Sequence, residues 1–387
     1  MNTRIYLDYA ATAPLHPQVL TALAEHYAAD MCNASALYQE GRRARIALEE
    51  ARESLAEVVD CAPQELYFCS GGTEAAGTLI EGIARGAQAK GGDWRARRHI
   101  ICAAFEHHAV LDSTLALKRL GFKVELLLPN KEGRITAEAL SAALRPDTLI
   151  VTTMLAQNEV GTVQDIKELS TLTHKVGALF VCDCVQAFGK IPLSLKDLGV
   201  DAAFFSAHKI GGPYGVGAFY LRSLAPFLPR QLGGGQERKQ RSGTQDIPGA
   251  LCFALAAKLQ AAALEAGEGM RLAALKDKLL ATLTQSSSRI RSTVPLAKGD
   301  TLNHLPGYLH LLVQGIESQT MVLKLDELGF AVSGGSACSA SSLEPSHVLT
   351  AMGVSKDDAF GALRISLGRT TTQEDCEQFA KALLLLL

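Results

Sequence analysis

Between residues 65 and 222 the chain alternates short apolar runs with stretches of helical spacing. The runs cover residues 65–69, 99–103, 124–128, Thr148–Met154, 178–182, 201–206 and 216–221. Most are apolar at successive positions, a pattern that suits strands covered on both faces. Helical spacing occupies residues 109–120 and 136–144, and a further helix is expected from Thr73, just after a glycine turn. The expected fold is therefore α/β, with a mostly parallel, seven-stranded-type sheet sandwiched by helices. The run 216–221 follows its predecessor too closely for a crossover and is expected to pair antiparallel.

A long Ala/Leu-rich helical stretch over about 249–285 leads away from this alternation. Beyond it, strands at Tyr308–Val313 and 362–367 and helices at 317–328 and 372–385 predict a smaller α+β domain. The expected division is a large domain over 16–259 and a small one built from 1–15 and 260–387. Only Gly233-Gly234-Gly235 interrupts the middle of the chain as an evidently flexible stretch.

The bulk properties narrow the function classes. A net charge of −2 over 387 residues gives no electrostatic case for binding nucleic acid or an anionic membrane. No continuous apolar run approaches the roughly 20 residues of a membrane span, and the first residues lack a signal-peptide pattern, so a cytoplasmic protein is expected. The nine cysteines include no CxxC pair and are expected to be reduced thiols, with no metal site. Cys182 and Cys184 share one strand face, opposite to Asp183.

Candidate chemistry collects where apolar runs end, the place where α/β sheets bind ligands. Lys209 follows the run ending at Ser206; held partly desolvated, a lysine amine can form a Schiff base with a carbonyl. Ser206 and His208 beside it can donate to a phosphate. Ser70-Gly71-Gly72-Thr73-Glu74 joins a strand to a helix and offers backbone N–H groups to an anion, although a plain N-cap at Thr73 explains it as well. Glu106-His107-His108 follows another run, and a histidine there is equally a structural one. Asp183 closes an apolar run, where a carboxylate needs a cation or strong donor, unless it simply caps the next turn. Cys338 lies among small residues, Ser333-Gly334-Gly335-Ser336-Ala337-Cys338-Ser339-Ala340-Ser341-Ser342, with no bulky apolar neighbours to bury it.

Taken together, these segments resemble the cysteine desulfurase family, within the class V aminotransferase group of pyridoxal-phosphate enzymes (fold type I). The resemblance is carried by Tyr6-Leu7-Asp8-Tyr9-Ala10-Ala11-Thr12, Ser70-Gly71-Gly72-Thr73-Glu74, Glu106-His107, Gln157-Asn158-Glu159-Val160-Gly161-Thr162, Asp183-Cys184-Val185-Gln186, Ser206-Ala207-His208-Lys209, Arg241-Ser242-Gly243-Thr244, the run ending at Cys338, and Arg364-Ile365-Ser366-Leu367-Gly368-Arg369. It spans nearly the whole chain in the family's order.

The resemblance implies pyridoxal 5'-phosphate as cofactor. Lys209 would hold it covalently and later move the substrate's α-proton; Asp183 would pair with its ring nitrogen, His107 would stack on the ring, and Gln186 would hydrogen-bond its phenolic oxygen. Gly72, Thr73, Ser206 and His208 would hold the phosphate, with Thr244 reaching over from the second subunit of a homodimer. Asn158, also counted with the cofactor contacts, and Arg364 would receive the substrate carboxylate. Cys338 would take sulfur from L-cysteine as a persulfide, with His107 relaying its proton, and pass it to an acceptor protein such as an iron–sulfur scaffold. Ala34, Tyr38, Gly77 and Cys184 depart from the family pattern, the last placing a second thiol near the ring. A selenocysteine lyase of the same fold and a non-catalytic regulatory protein that retains the fold are the rival readings. A nicotinamide enzyme is disfavoured, since no G-x-G-x-x-G follows the first strand.

Overall fold

A computed structural model describes residues 4–29, 32–335 and 345–387. Its strands are β1 (Ile5–Tyr6), β2 (Leu66–Cys69), β3 (His99–Ala103), β4 (Lys123–Leu127), β5 (Thr148–Met154), β6 (Leu179–Asp183), β7 (Ala202–Ser206), β8 (Gly217–Leu221), β9 (Ile290–Ser292), β10 (Tyr308–Val313), β11 (Phe330–Ala331) and β12 (Ala362–Ser366). Seven of them form one sheet in the order β2-β8-β7-β6-β5-β3-β4. β8 runs antiparallel to both neighbours, as its short connection requires, and the remaining pairs are parallel. The inner strands are buried along their whole length, while the outer strand β4 exposes Lys123, Glu125 and Leu126.

The register fixes which residues meet at the sheet's carboxyl edge. Met154 is level with Asp183, Asp183 with Phe204, and Ser206 with Gly217, which is itself level with Cys69. The loops after β2, β5, β6 and β7 therefore emerge side by side. Asp183 completes its strand rather than ending it early, so the carboxylate sits at the last regular position of β6.

The Ala/Leu-rich stretch is two helices, not one. Ile247–Glu265 and Glu268–Ser286 are separated at Gly267, whose φ of 94° breaks the helical path. The first is long and apolar enough to cross a membrane, but its Ala250, Phe253, Ala254 and Ala257 are buried in the core of the large sheet. Beyond the second, β9, β10 and β12 form an antiparallel sheet in the order β12-β10-β9. β1 pairs with β11 in parallel, and Asp8 bridges to Ser366 at the end of β12. Leu7, Leu309, Leu363, Ile365, Phe379 and Leu383 share one apolar cluster, so the N-terminal segment packs with the C-terminal unit. Leu383, Leu384 and Leu385 end the helix Gln373–Leu385, with Leu383 buried and Leu385 turned outward, and Leu386 and Leu387 follow it.

Candidate active site

A cavity of about 290 Å³ lies over the carboxyl edge of the large sheet, lined by Asp183, Gln186, Lys209, His107, Asn158 and Arg364 among others. Lys209 belongs to a single turn, Ala207–Ile210, immediately after β7. Its Nζ donates to the carbonyls of Ala10 (2.9 Å) and Ala11 (2.8 Å), so the N-terminal segment holds the amine in place.

Asp183 faces this cavity from the end of β6, with one oxygen accepting from the Val185 N–H at 2.8 Å. Burial pushes its carboxyl up to about 6, despite that N–H and the Lys209 cation, which pull it down. Glu106, completely buried nearby, lies well above the usual carboxylate range, first because of burial and then because of the Asp183 charge. A carboxylate held this way is stabilised as an anion by a cation in the cavity, and a protonated ring nitrogen is such a group.

The other end of the cavity opens into a wider, solvent-facing lobe bounded by residues 70–74, Ser206, His208 and Thr12. The helix Gly72–Lys90 begins there with no side-chain cap. Its N-cap is Gly71, not Thr73, which is the helix's second residue. Gly71 has a φ of 150°, favoured by glycine, and a Cβ on Gly72 would stand 3.1 Å from the Val185 side chain. An uncapped helix N-terminus with close backbone access suits a phosphate. Glu74 in the same turn is neutralised by Arg241 at 2.7 and 3.1 Å, which removes a repulsive charge from the anion's path.

His107 caps the helix His108–Ala116, its Nδ1 accepting the Ala109 N–H at 3.1 Å. The neutral ring therefore carries its proton on Nε2. Burial, followed by the Lys209 charge, draws its pKa down to about 4, and His208 is drawn to about 4 for the same reasons. With Nδ1 engaged, His107 offers an N–H; taking up a proton requires the cap to break.

Arg364, in the middle of β12, is buried, donating from Nη1 to the Asn158 carbonyl (2.9 Å) and from Nη2 to Asp8 (3.0 Å). Asn158 has its own orientation set by Gln157, whose Nε2 donates to Asn158 Oδ1 (3.2 Å) while its Oε1 accepts the backbone N–H groups of Glu159 and Val160. Gln157 and Asp8 were legible only as parts of motifs; a fully polar residue beside a site residue was the one available sign.

The described geometry thus brings together Lys209, Asp183, His107, Gln186, Asn158, Arg364, Gly72, Thr73, Ser206 and His208. Thr244 is exposed and lines no part of this cavity in its own chain. The segment carrying it is not a free loop, because Glu237 is buried against Arg52 at 2.7 and 2.9 Å. Cys338 lies outside the described residues. Cys184 does not face the ring position: it is buried in the core under the sheet, its sulfur 3.7 Å from that of Cys182. At Gly77 a Cβ would come 2.7 Å from the Arg230 guanidinium, the far end of a half-exposed side chain that can shift to make room.

The aminotransferase class-V family model matches residues 5–379. A cysteine desulfurase IscS from Anaeromyxobacter sp. (strain Fw109-5) is 40% identical over 385 residues, covering 98% of this chain and 92% of that protein. The cysteine desulfurase IscS of Dictyoglomus turgidum is 39% identical, covering 97% and 92%. Among solved structures, a NifS-like protein superposes with a TM-score of 0.90 at 33% identity, covering 99% of both chains. A structure described as SspA in complex with cysteine gives 0.79 at 29% identity, covering 94% and 99%.

Proposed function

The chain belongs to the cysteine desulfurase family of class-V aminotransferases, which depend on pyridoxal 5'-phosphate, and on that premise we propose that it converts L-cysteine to L-alanine and leaves the sulfur as a persulfide on Cys338. The observation that carries the reading is the buried Asp183 carboxylate sharing one cavity with the Lys209 amine and the Arg364 guanidinium. Pyridoxal phosphate, when bound, supplies an electron sink. The residues fit it: Asp183 would hold the ring nitrogen's proton, Gln186 would meet the phenolic oxygen, and His107 would cover the ring. The N-terminus at Gly72 and Thr73, with Ser206 and His208, would take the phosphate.

Arg364 and Asn158 would receive the substrate carboxylate through charge-assisted hydrogen bonds. Lys209 would hold the cofactor and carry the α-proton. The Cys338 thiolate would attack the substrate sulfur: an S–S bond forms, the substrate's Cβ–S bond breaks, and the carbon keeps the electron pair and takes a proton. The balance is L-cysteine plus enzyme thiol giving L-alanine plus enzyme persulfide. His107, presenting Nε2–H, would serve the proton traffic around that thiol only by giving up its helix cap. Thr244, exposed in its own chain, would complete the phosphate site of a partner in a homodimer, and the persulfide would pass to an acceptor protein, in a cytoplasmic setting.

Two variants test this. Cys338→Ser should bind the cofactor and L-cysteine but release no sulfide, and mass spectrometry of the cysteine-treated wild type should find the added sulfur on Cys338. Lys209→Ala should lose borohydride-fixable cofactor, with turnover falling by about 10⁴-fold. Added sulfur on Cys184, or full sulfur delivery by Cys338→Ser, would refute the assignment.

A further inference from the structure

Behind the catalytic cavity two residues that the proposed chemistry does not use, Lys190 and Tyr308, join Gln186 in a small polar cluster. Gln186 Oε1 accepts from Lys190 Nζ at 2.6 Å and from the Tyr308 hydroxyl, and Lys190 Nζ also lies 2.9 Å from that hydroxyl. Gln186 Nε2 donates to the Ala10 carbonyl at 2.9 Å. Tyr308 is fully buried at the start of β10, the central strand of the small antiparallel sheet, and Lys190 lies four residues after Gln186. A backbone carbonyl only accepts, so Ala10 identifies which end of the amide is NH₂. Turning Gln186 over would set two acceptors against each other there and leave the donors of Lys190 and Tyr308 facing an NH₂ group.

We infer that Lys190 and Tyr308 are positioning residues that lock the Gln186 amide, so that its remaining N–H, never its carbonyl, is presented to the phenolic oxygen of bound pyridoxal phosphate. The inference rests on the function proposed above. With Oε1 occupied twice and one N–H committed to Ala10, the second N–H is the only capacity Gln186 has left for a ligand. A donor there steadies the oxygen as an anion; a carbonyl would repel it. Burial holds the Tyr308 hydroxyl well above its usual pKa, which keeps its hydrogen available to Gln186. Burial, then the Lys209 and Arg364 charges, draws the Lys190 amine well below its usual value. The other charged or titratable groups at the cavity, Asp183, His107, His208 and Asp8 beside Arg364, are the same in every variant below.

The test is the pH titration of the visible absorption of cofactor bound to the whole enzyme. Tyr308→Phe removes a single oxygen, and Lys190→Met keeps the length of the stem. Each should shift the titration midpoint upward by about 0.5–1 pH unit, the equivalent of one neutral hydrogen bond, because an unsteadied oxygen is more basic and keeps its neighbouring proton longer. Gln186→Ala should shift it in the same direction at least as far. The double variant Lys190→Met/Gln186→Ala should go no further than Gln186→Ala alone, since Lys190 acts through the amide. An unmoved midpoint in Tyr308→Phe overturns the inference, and so do fully additive shifts, which would make Lys190 an independent charge. If Lys190→Met fails to fold by circular dichroism, Tyr308→Phe with and without Gln186→Ala decides by the same rule. A wild-type protein that develops no visible band with the cofactor would remove the proposed function itself, an outcome distinct from an unmoved midpoint.

Discussion

At its inner end the cavity is walled by ionisable and polar side chains set into the protein: buried Asp183, Glu106 behind it, and the Gln186–Lys190–Tyr308 cluster. At its mouth, Gly71, Gly72 and Thr73 meet solvent with backbone N–H groups and no side-chain cap. On the proposed function each end would hold a charged part of one ligand, by opposite means. Where water is excluded, a full opposite charge is effective because the effective dielectric is low, but each residue must be oriented by others, as Asp183 is by the Val185 N–H and Gln186 by three neighbours. Where water enters, several weak dipoles spread over a helix end do the same work, and no one of them dominates.

That contrast predicts unequal sensitivity. Asp183→Asn, which keeps the shape but removes the charge, should leave the cofactor bound while lowering cysteine turnover by about 10²–10³-fold, the cost of losing one preorganised electrostatic contact. Thr73→Ala at the mouth should raise the cofactor's dissociation constant only about 2–10-fold, as expected for one neutral hydrogen bond among several, with turnover at saturating cofactor little changed. An equal loss of turnover from both substitutions would abolish the distinction between the two ends.

The smallest effect is one of pH. In the ligand-free chain burial raises the Asp183 carboxyl to about 6, and a bound cation would lower it. A carboxyl depressed on binding contributes affinity above its free pKa and loses that contribution as pH falls through it. The ratio of cofactor affinities between wild type and Asp183→Asn should therefore be greatest near pH 8 and shrink several-fold by pH 5, whereas the ratio for Thr73→Ala should stay constant. Titrations of cofactor-free protein by fluorescence, at both pH values, read this directly. His107 and His208, each near 4, remain neutral through this range and do not confuse the comparison.

Much of the architecture was legible from local pattern. Thr148–Met154, His99–Ala103 and Tyr308–Val313 were each read to the residue, because a strand buried on both faces shows as a mostly apolar run rather than an alternating one. The antiparallel pairing of β8 followed from the length of its connection. The 249–285 stretch misled because alanine and leucine favour helix on both sides of the break, and a lone glycine tells little until its φ is known. Thr73 was weighed as a cap because threonine caps well, yet the turn after Ser70 puts Gly71 at that position instead.

What the sequence determined by itself was the type of each element and the kind of chemistry at each strand end, since apolar periodicity and a lysine or carboxylate out of place are local properties. The tertiary structure alone decided which of those ends adjoin and how each group is held. β6 and β7 are neighbours, so Asp183 shares a cavity with Lys209; β12 brings Arg364 in from a separate sheet; and Tyr308, 122 residues from Gln186, sets that amide's orientation. Orientation, burial and hydrogen-bond partners arise from contacts between distant segments, and no local pattern carries them.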